Sequence, residues 1–320
     1  MIKNSLIHKK QNFETGLRKQ FASTMIDIGK IDKRLIVIVA DISHGILQPF
    51  NKMFPGRYYN IGICEPSIVN MCAGLSKMGF IPVVHTITPF LIERSLEQIK
   101  LDFSYQKLPL NLISVGGTYD YSKLGCSHHS YSDLASLKHF ENINLFVPGS
   151  SKELHYQFVN NYNRSQINYF RLTEYPHNYN FQYTKLIKEQ PIQVEKGKNL
   201  TICVLGNKLQ NCLELTSKLK KYKITSDLFY INKLKPINLK KIKNSVDHTK
   251  KLIVIEEISS YGGLYEDCLK IIHGINDLNT LHISLNSFIR DYGSYNDLTE
   301  ISGLSTKKIL KKVLKFLNLN

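Results

Sequence analysis

Short apolar runs rich in β-branched residues alternate with stretches of helical period along most of this chain, and that order points to a parallel α/β architecture. The runs at 35–40, 80–84, 110–115, 143–147 and 169–172 read as strands buried on both faces. After Pro66, the residues Ile68, Met71, Cys72 and Leu75 fall at i, i+3, i+4 and i+7, and Ile92, Leu96, Ile99 and Phe103 repeat a similar stripe. Both stretches are expected to be helices with one face on a sheet. A second alternation runs through strand 201–205, helix 209–220, strands 226–230 and 252–256, a helix after Gly262-Gly263, and strand 282–285. Between the two series, residues 175–199 turn polar and carry Pro176 and Pro191, as a crossing between domains would. The reading is therefore a first domain at 1–180, a linker at 181–197 and a second at 198–320, in keeping with about two domains for 320 residues.

Lys and Arg number 42 against 26 Asp and Glu, an excess of 16. The basic residues are dispersed, and no zinc finger, RNP or helix-turn-helix pattern gathers them, so nucleic-acid binding is not expected. The densest stretch, 233–251, interleaves Lys with Ile, Leu and Asn and reads as a solvated helix face. Six cysteines lie scattered without a C-x-x-C pair, which suggests reduced, buried thiols rather than disulfides or a zinc site. The N-terminal residues lack the apolar run of a signal peptide, and no stretch of ~18 apolar residues occurs. A cytoplasmic location without membrane insertion is the expectation.

Three segments carry polar chemistry. In Tyr59-Asn60-Ile61-Gly62-Ile63-Cys64-Glu65-Pro66, proline at the start of a helix puts Glu65 at or beside its N-terminus, where a carboxylate serves as a cap or as a functional group. In Gly125-Cys126-Ser127-His128-His129-Ser130, adjacent histidines follow a strand and loop, at the sheet edge where open α/β folds collect ligands. In Thr88-Pro89-Phe90-Leu91-Ile92-Glu93-Arg94, a strand-end loop enters a helix; Phe90 suits either core or a stacking platform, and Arg94 either surface or site.

In order and spacing these segments resemble the C-terminal half of transketolases, especially the separate C-terminal subunits of two-subunit forms. The matching pieces are Asp41 after the first strand, N-I-G-I-C-E at 60–65, F-L-I-E-R-S-L-E-Q-I at 90–99, Y-Q-K-L-P at 105–109, G-C-S-H-H at 125–129, V-P-G at 147–149 and Y-F-R-L at 169–172. They continue with V-I-E-E at 254–257, G-G-L at 262–264 and D-Y-G at 291–293, so the likeness spans roughly residues 12–315. The resemblance implies a pyrimidine-binding domain, a parallel sheet with flanking helices, followed by a smaller α/β C-terminal domain. It implies thiamine diphosphate as cofactor, with Glu65 as the catalytic glutamate bonded to pyrimidine N1′. Phe90 is then the ring stacked on the pyrimidine, Arg94 a neighbour of Glu65, and Asp41 a cofactor-side residue. His128 becomes the catalytic histidine near the substrate hydroxyl, His129 a second substrate contact, and Arg171 a holder of sugar phosphate.

Two departures qualify the likeness. Leu124 stands where single-chain transketolases carry an acidic residue that reads sugar hydroxyls, and 116–120 lacks their upstream phosphate histidine. More consequentially, no G-D-G occurs in the chain, so a Mg2+ held by oxygen ligands to anchor a diphosphate must belong elsewhere. The expectation is an N-terminal partner subunit in an α2β2 assembly that transfers a two-carbon ketol unit between sugars or sugar phosphates. Within the superfamily, 1-deoxyxylulose-phosphate-synthase-like and 2-oxoacid-dehydrogenase β-subunit-like enzymes are the alternatives; a non-catalytic scaffold is the alternative outside it.

Overall fold

A computed structural model describes residues 12–188 and 190–319. The first sheet has six parallel strands: β1 (Leu35–Val39), β2 (Tyr58–Asn60), β3 (Ile81–Ile87), β4 (Leu110–Val115), β5 (Ile143–Phe146) and β6 (Ile167–Arg171). A later strand, β10 (Lys233–Lys235), joins them in the order β10-β5-β6-β4-β3-β1-β2. Strand β2 has only three residues, two of them exposed, so it leaves no apolar run to read. Both faces of the sheet are covered, as parallel sheets require. Val37 and Val39 pack with Phe21, Met25 and Phe50 on one face, whereas Ile36 and Ile38 pack with Ile68, Val69, Phe103 and Leu134 on the other.

The helix Glu65–Lys77 is present, but its stripe is rotated: Val69 and Ala73 are buried, and Met71 is exposed. The next expected helix is interrupted. Pro89–Glu93 and Ile99–Tyr105 take the wider π form on either side of a short α turn, Leu96–Gln98. An extra residue per turn is a device found where side chains must be re-aimed, and here it follows the strand that leads to Phe90 and Arg94.

The second sheet is built from β7 (Ile192–Glu195), β8 (Leu200–Leu205), β9 (Ser226–Ile231), β11 (Lys251–Ser259) and β12 (Asn279–Leu285), in the order β12-β11-β8-β9-β7. The segment read as a linker is thus largely regular: Tyr183–Lys188 is helical, and β7 pairs antiparallel with β9. Its polar composition reflects an edge strand with one face turned outward. The boundary is also crossed in the other direction. Strand β10, reached from the second sheet, pairs antiparallel with β5 and completes the first. Lys233 is consequently half-buried, which corrects its reading as part of a solvated helix face. Of the cysteines, Cys72, Cys203, Cys212 and Cys268 are buried as expected, but Cys126 is exposed and Cys64 partly so. No helix among the described residues is long and apolar enough to cross a membrane.

Candidate active site

The parallel sheet brings the C-terminal ends of β1 to β4 to one edge, where loops collect polar groups around a ligand in open α/β folds. Asp41 follows β1, Glu65 follows β2, Phe90 and Arg94 follow β3, and His128 follows β4.

Glu65 is the first residue of its helix, with Pro66 beside it, after a turn at Gly62 (φ +85°) whose carbonyl accepts from the Cys64 N–H. The side chain is almost wholly buried, at 1% exposure. Oε2 lies 3.4 Å from Arg94 Nη1, whereas Oε1 has no hydrogen-bond partner. A buried carboxylate oxygen left bare costs about 1–3 kcal/mol or more, so the arrangement calls for a donor from outside the chain. The Arg94 guanidinium lies 4.0 Å over the Phe90 ring, and the His128 imidazole meets that ring edge-on at 5.1 Å and 72°. Four residues from three loops therefore form one continuous group: Glu65, Arg94, Phe90 and His128.

The loops are tied together beneath it. Thr88 Oγ1 donates to the Val115 carbonyl at 2.8 Å, and Ser130 Oγ donates to Glu93 Oε1 at 2.8 Å. Burial, with Asp133 nearby, raises the Glu93 pKa against the lowering effect of the Ser130 bond. Ser127 Oγ sits 3.0 Å from His128 Nδ1. At the β1 end, Asp41 adopts φ +52° and is linked to Asn60 in both directions: its N–H donates to Oδ1 at 3.0 Å, and Asn60 Nδ2 donates to its carboxylate at 3.2 Å. Asn60 Oδ1 also accepts from the Gly62 N–H, so Asp41 braces the turn that delivers Glu65.

Two expected substrate residues lie outside this group. His129 is buried, with Nε2 3.3 Å from the Tyr121 carbonyl, and burial lowers its pKa. It supports the loop from within. Arg171 also lies apart from the group: its buried guanidinium pairs with Asp133 at 2.9 Å and donates to Thr118 Oγ1 at 2.5 Å and to the Ser130 carbonyl at 3.3 Å. The ion pair is hidden from solvent and anchors the histidine loop. Sequence reasoning also passed over Asn60, although it lies inside the N-I-G-I-C-E segment, and His85. His85 is fully buried on β3 between Ser43 Oγ at 2.8 Å and the Ile113 carbonyl at 2.9 Å. A histidine inside a V-V-H-T-I strand carries no pattern that separates packing from function.

The fold and this edge describe an open α/β domain with polar and aromatic groups gathered at one sheet edge, followed by a second α/β domain. Residues 14–176 match the family model of the transketolase pyrimidine binding domain, and residues 190–309 match that of the transketolase C-terminal domain. The chain belongs to the transketolase family. A subunit of the apulose-4-phosphate transketolase of Actinobacillus succinogenes is 30% identical over 233 residues, covering 72% of this chain and 75% of that protein. The 1-deoxy-D-xylulose-5-phosphate synthase of Clostridium tetani is 26% identical over 306 residues; the match takes in 93% of this chain but 48% of the synthase. Among solved structures, a split-gene transketolase described as an inactive β4 tetramer superposes with a TM-score of 0.83 at 25% identity, covering 96% of this chain and 99% of that one.

Proposed function

We infer that this chain is the pyrimidine-binding, C-terminal subunit of a two-component, thiamine-diphosphate-dependent transketolase that moves a two-carbon ketol unit between sugars or sugar phosphates. The observation that carries the reading is the bare Oε1 of Glu65, buried against Arg94 and beside the Phe90 ring. That set suits an aminopyrimidine: a carboxyl to share a proton with a ring nitrogen and an aromatic face to stack on it. When bound, thiamine diphosphate supplies the nucleophilic carbon and the electron sink for cleaving a carbon–carbon bond. Glu65 holds the proton at the pyrimidine N1′, Arg94 fixes the second carboxylate oxygen, and Phe90 excludes water from the ring. His128, half-exposed behind Phe90, donates to or accepts from a substrate hydroxyl.

The diphosphate and its Mg2+ fall to a partner subunit, because the chain has no G-D-G segment. Two comparisons support a divided enzyme: the Actinobacillus relative is named as one subunit of its transketolase, and the β4 form of the split-gene neighbour is described as inactive. Mixing this chain with its N-terminal partner, thiamine diphosphate and Mg2+ is expected to produce ketol transfer that neither chain shows alone. Glu65→Gln should abolish that activity while leaving the folded state and the assembly intact. Wild-type turnover by Glu65→Gln, or full activity of this chain unaided, overturns the reading. The synthase relatives favour a second one, tested in the same assay by pyruvate consumption with release of carbon dioxide.

A further inference from the structure

A second charged pair stands at the same sheet edge, on the face opposite the helix Glu65–Lys77. Arg18 lies in the first turn of the helix Leu17–Gly29, whose Phe21 shares the core of Val37 and Val39, and Glu174 lies three residues beyond the end of β6. Arg18 Nη1 donates to Glu174 Oε1 at 3.4 Å, and both side chains are partly open to solvent. Arg18 is held at the end of β1 by Ser43, so the pair joins the ends of β6 and β1, three strand spacings or about 14 Å apart. Between them end β4 and β3, the strands that lead to His128 and Phe90.

Each partner rests on a buried support. The Arg18 fork, Nε and Nη2, closes on Ser43 Oγ at 3.2 and 3.0 Å, and Ser43 is fixed in turn by the fully buried His85 on the Ile113 carbonyl. On the other side, the buried Asp120 accepts from the Glu174 N–H at 3.1 Å and from Thr173 Oγ1 at 3.3 Å. Tyr121, in the loop that carries His128, feels both charges: burial raises its pKa to about 12, while Arg18 lowers it and Glu174 raises it. A phosphate is held best by a guanidinium that offers two parallel N–H donors and an uncancelled charge. Here the fork is spent on Ser43, and Glu174 both cancels the charge and repels a dianion. What the pair offers instead is a carboxylate acceptor beside guanidinium donors, which suits a neutral hydroxyl because that group donates and accepts at once.

We propose that Arg18 and Glu174 set the substrate class of this site: the pair reads a free hydroxyl of the sugar and turns away a phosphate ester in its place. The inference rests on the ketol-transfer reading and narrows it to unphosphorylated sugars.

Titration calorimetry on the chain assembled with its N-terminal partner, thiamine diphosphate and Mg2+ tests it with ribose and ribose 5-phosphate, a readout that needs no turnover. Wild type is expected to bind ribose about tenfold more tightly than the ester, a difference of ~1.4 kcal/mol. Glu174→Gln, which keeps the shape and removes the charge, should erase that preference by strengthening the ester. Glu174→Asp, which keeps the charge, should retain it, and Arg18→Met should weaken ribose. The proposal is overturned if the ester binds wild type as tightly as ribose, if Glu174→Gln leaves the ratio unchanged, or if neither sugar binds. A preference for ribose in a complex that transfers no ketol unit overturns the assigned activity and supports the role of the pair; ketol transfer that uses the ester as well as ribose does the reverse.

Discussion

Arg94 and His85 show how differently two polar side chains act at the same sheet edge. The Arg94 guanidinium is about half exposed, at 49%, so its pair with Glu65 is screened by water and contributes at most about 1 kcal/mol to folding. Its value is positional: it fixes one carboxylate oxygen and covers the outer face of Phe90. Arg94→Met is therefore expected to leave the denaturation midpoint nearly unchanged while weakening thiamine diphosphate binding by the assembled enzyme, read as a raised half-saturation concentration. His85 is the opposite case. Arg18 donates to Ser43 Oγ through two nitrogens, at 3.2 and 3.0 Å, so the hydroxyl hydrogen is free to point at His85 Nε2, while Nδ1–H donates to the Ile113 carbonyl. Burial brings the pKa from 6.5 down to about 4. The folded chain refuses a proton that the unfolded chain accepts, so this contribution is complete above pH 6.5 and is lost as pH falls toward 4. The loss amounts to about 3 kcal/mol. Urea denaturation at about pH 7 and pH 4.5 should show His85→Gln losing less stability on acidification than wild type.

Elements locate the side chains, and here the limits of sequence reading are physical. Strands β1, β4 and β8 were legible because burial on both faces leaves runs dominated by apolar residues, uninterrupted in β1 and broken only by Asn111 and Ser114 in β4 and Thr201 in β8. Strand β2 was not, since an edge strand of three residues needs no such run, and β10 was hidden among lysines because one apolar residue, Leu234, suffices to seat it. That Glu65, Phe90, Arg94 and His128 stand on neighbouring loops was legible through the order of their motifs; the burial of His129 and Arg171 was not, because spacing places a residue on a loop without saying which way it turns. The V-I-E-E and G-G-L pieces meet in a helix cap. Glu256, fully buried within β11, accepts from the Leu264 and Tyr265 N–H groups at 2.7 and 3.2 Å and sits 2.8 Å from His282 Nε2. A side chain on Gly263 would place its Cβ 2.5 Å from that carboxylate. Glu256→Ala and Gly263→Ala are each expected to destabilise the chain by about 1–3 kcal/mol, measured by chemical denaturation. Conservation of activity per folded molecule would mark both as purely structural.

At the scale of the whole molecule, Ile61 and Ile63, in the turn that delivers Glu65, and Met71, on the helix that follows, are exposed. Sedimentation of the chain with its partner is expected to give an α2β2 species that the Glu65→Gln variant also forms, since that change is made at a buried position and keeps the side chain's shape. Strand β10 carries a different consequence. It belongs in sequence to the second domain but supplies the last rung of the first sheet. A gene cut near residue 190 would therefore release a front half whose β5 backbone is bare along one margin, a template for stray chains to stick to. The two halves are stitched through this one short strand, so the front half is sealed only when the back half is attached.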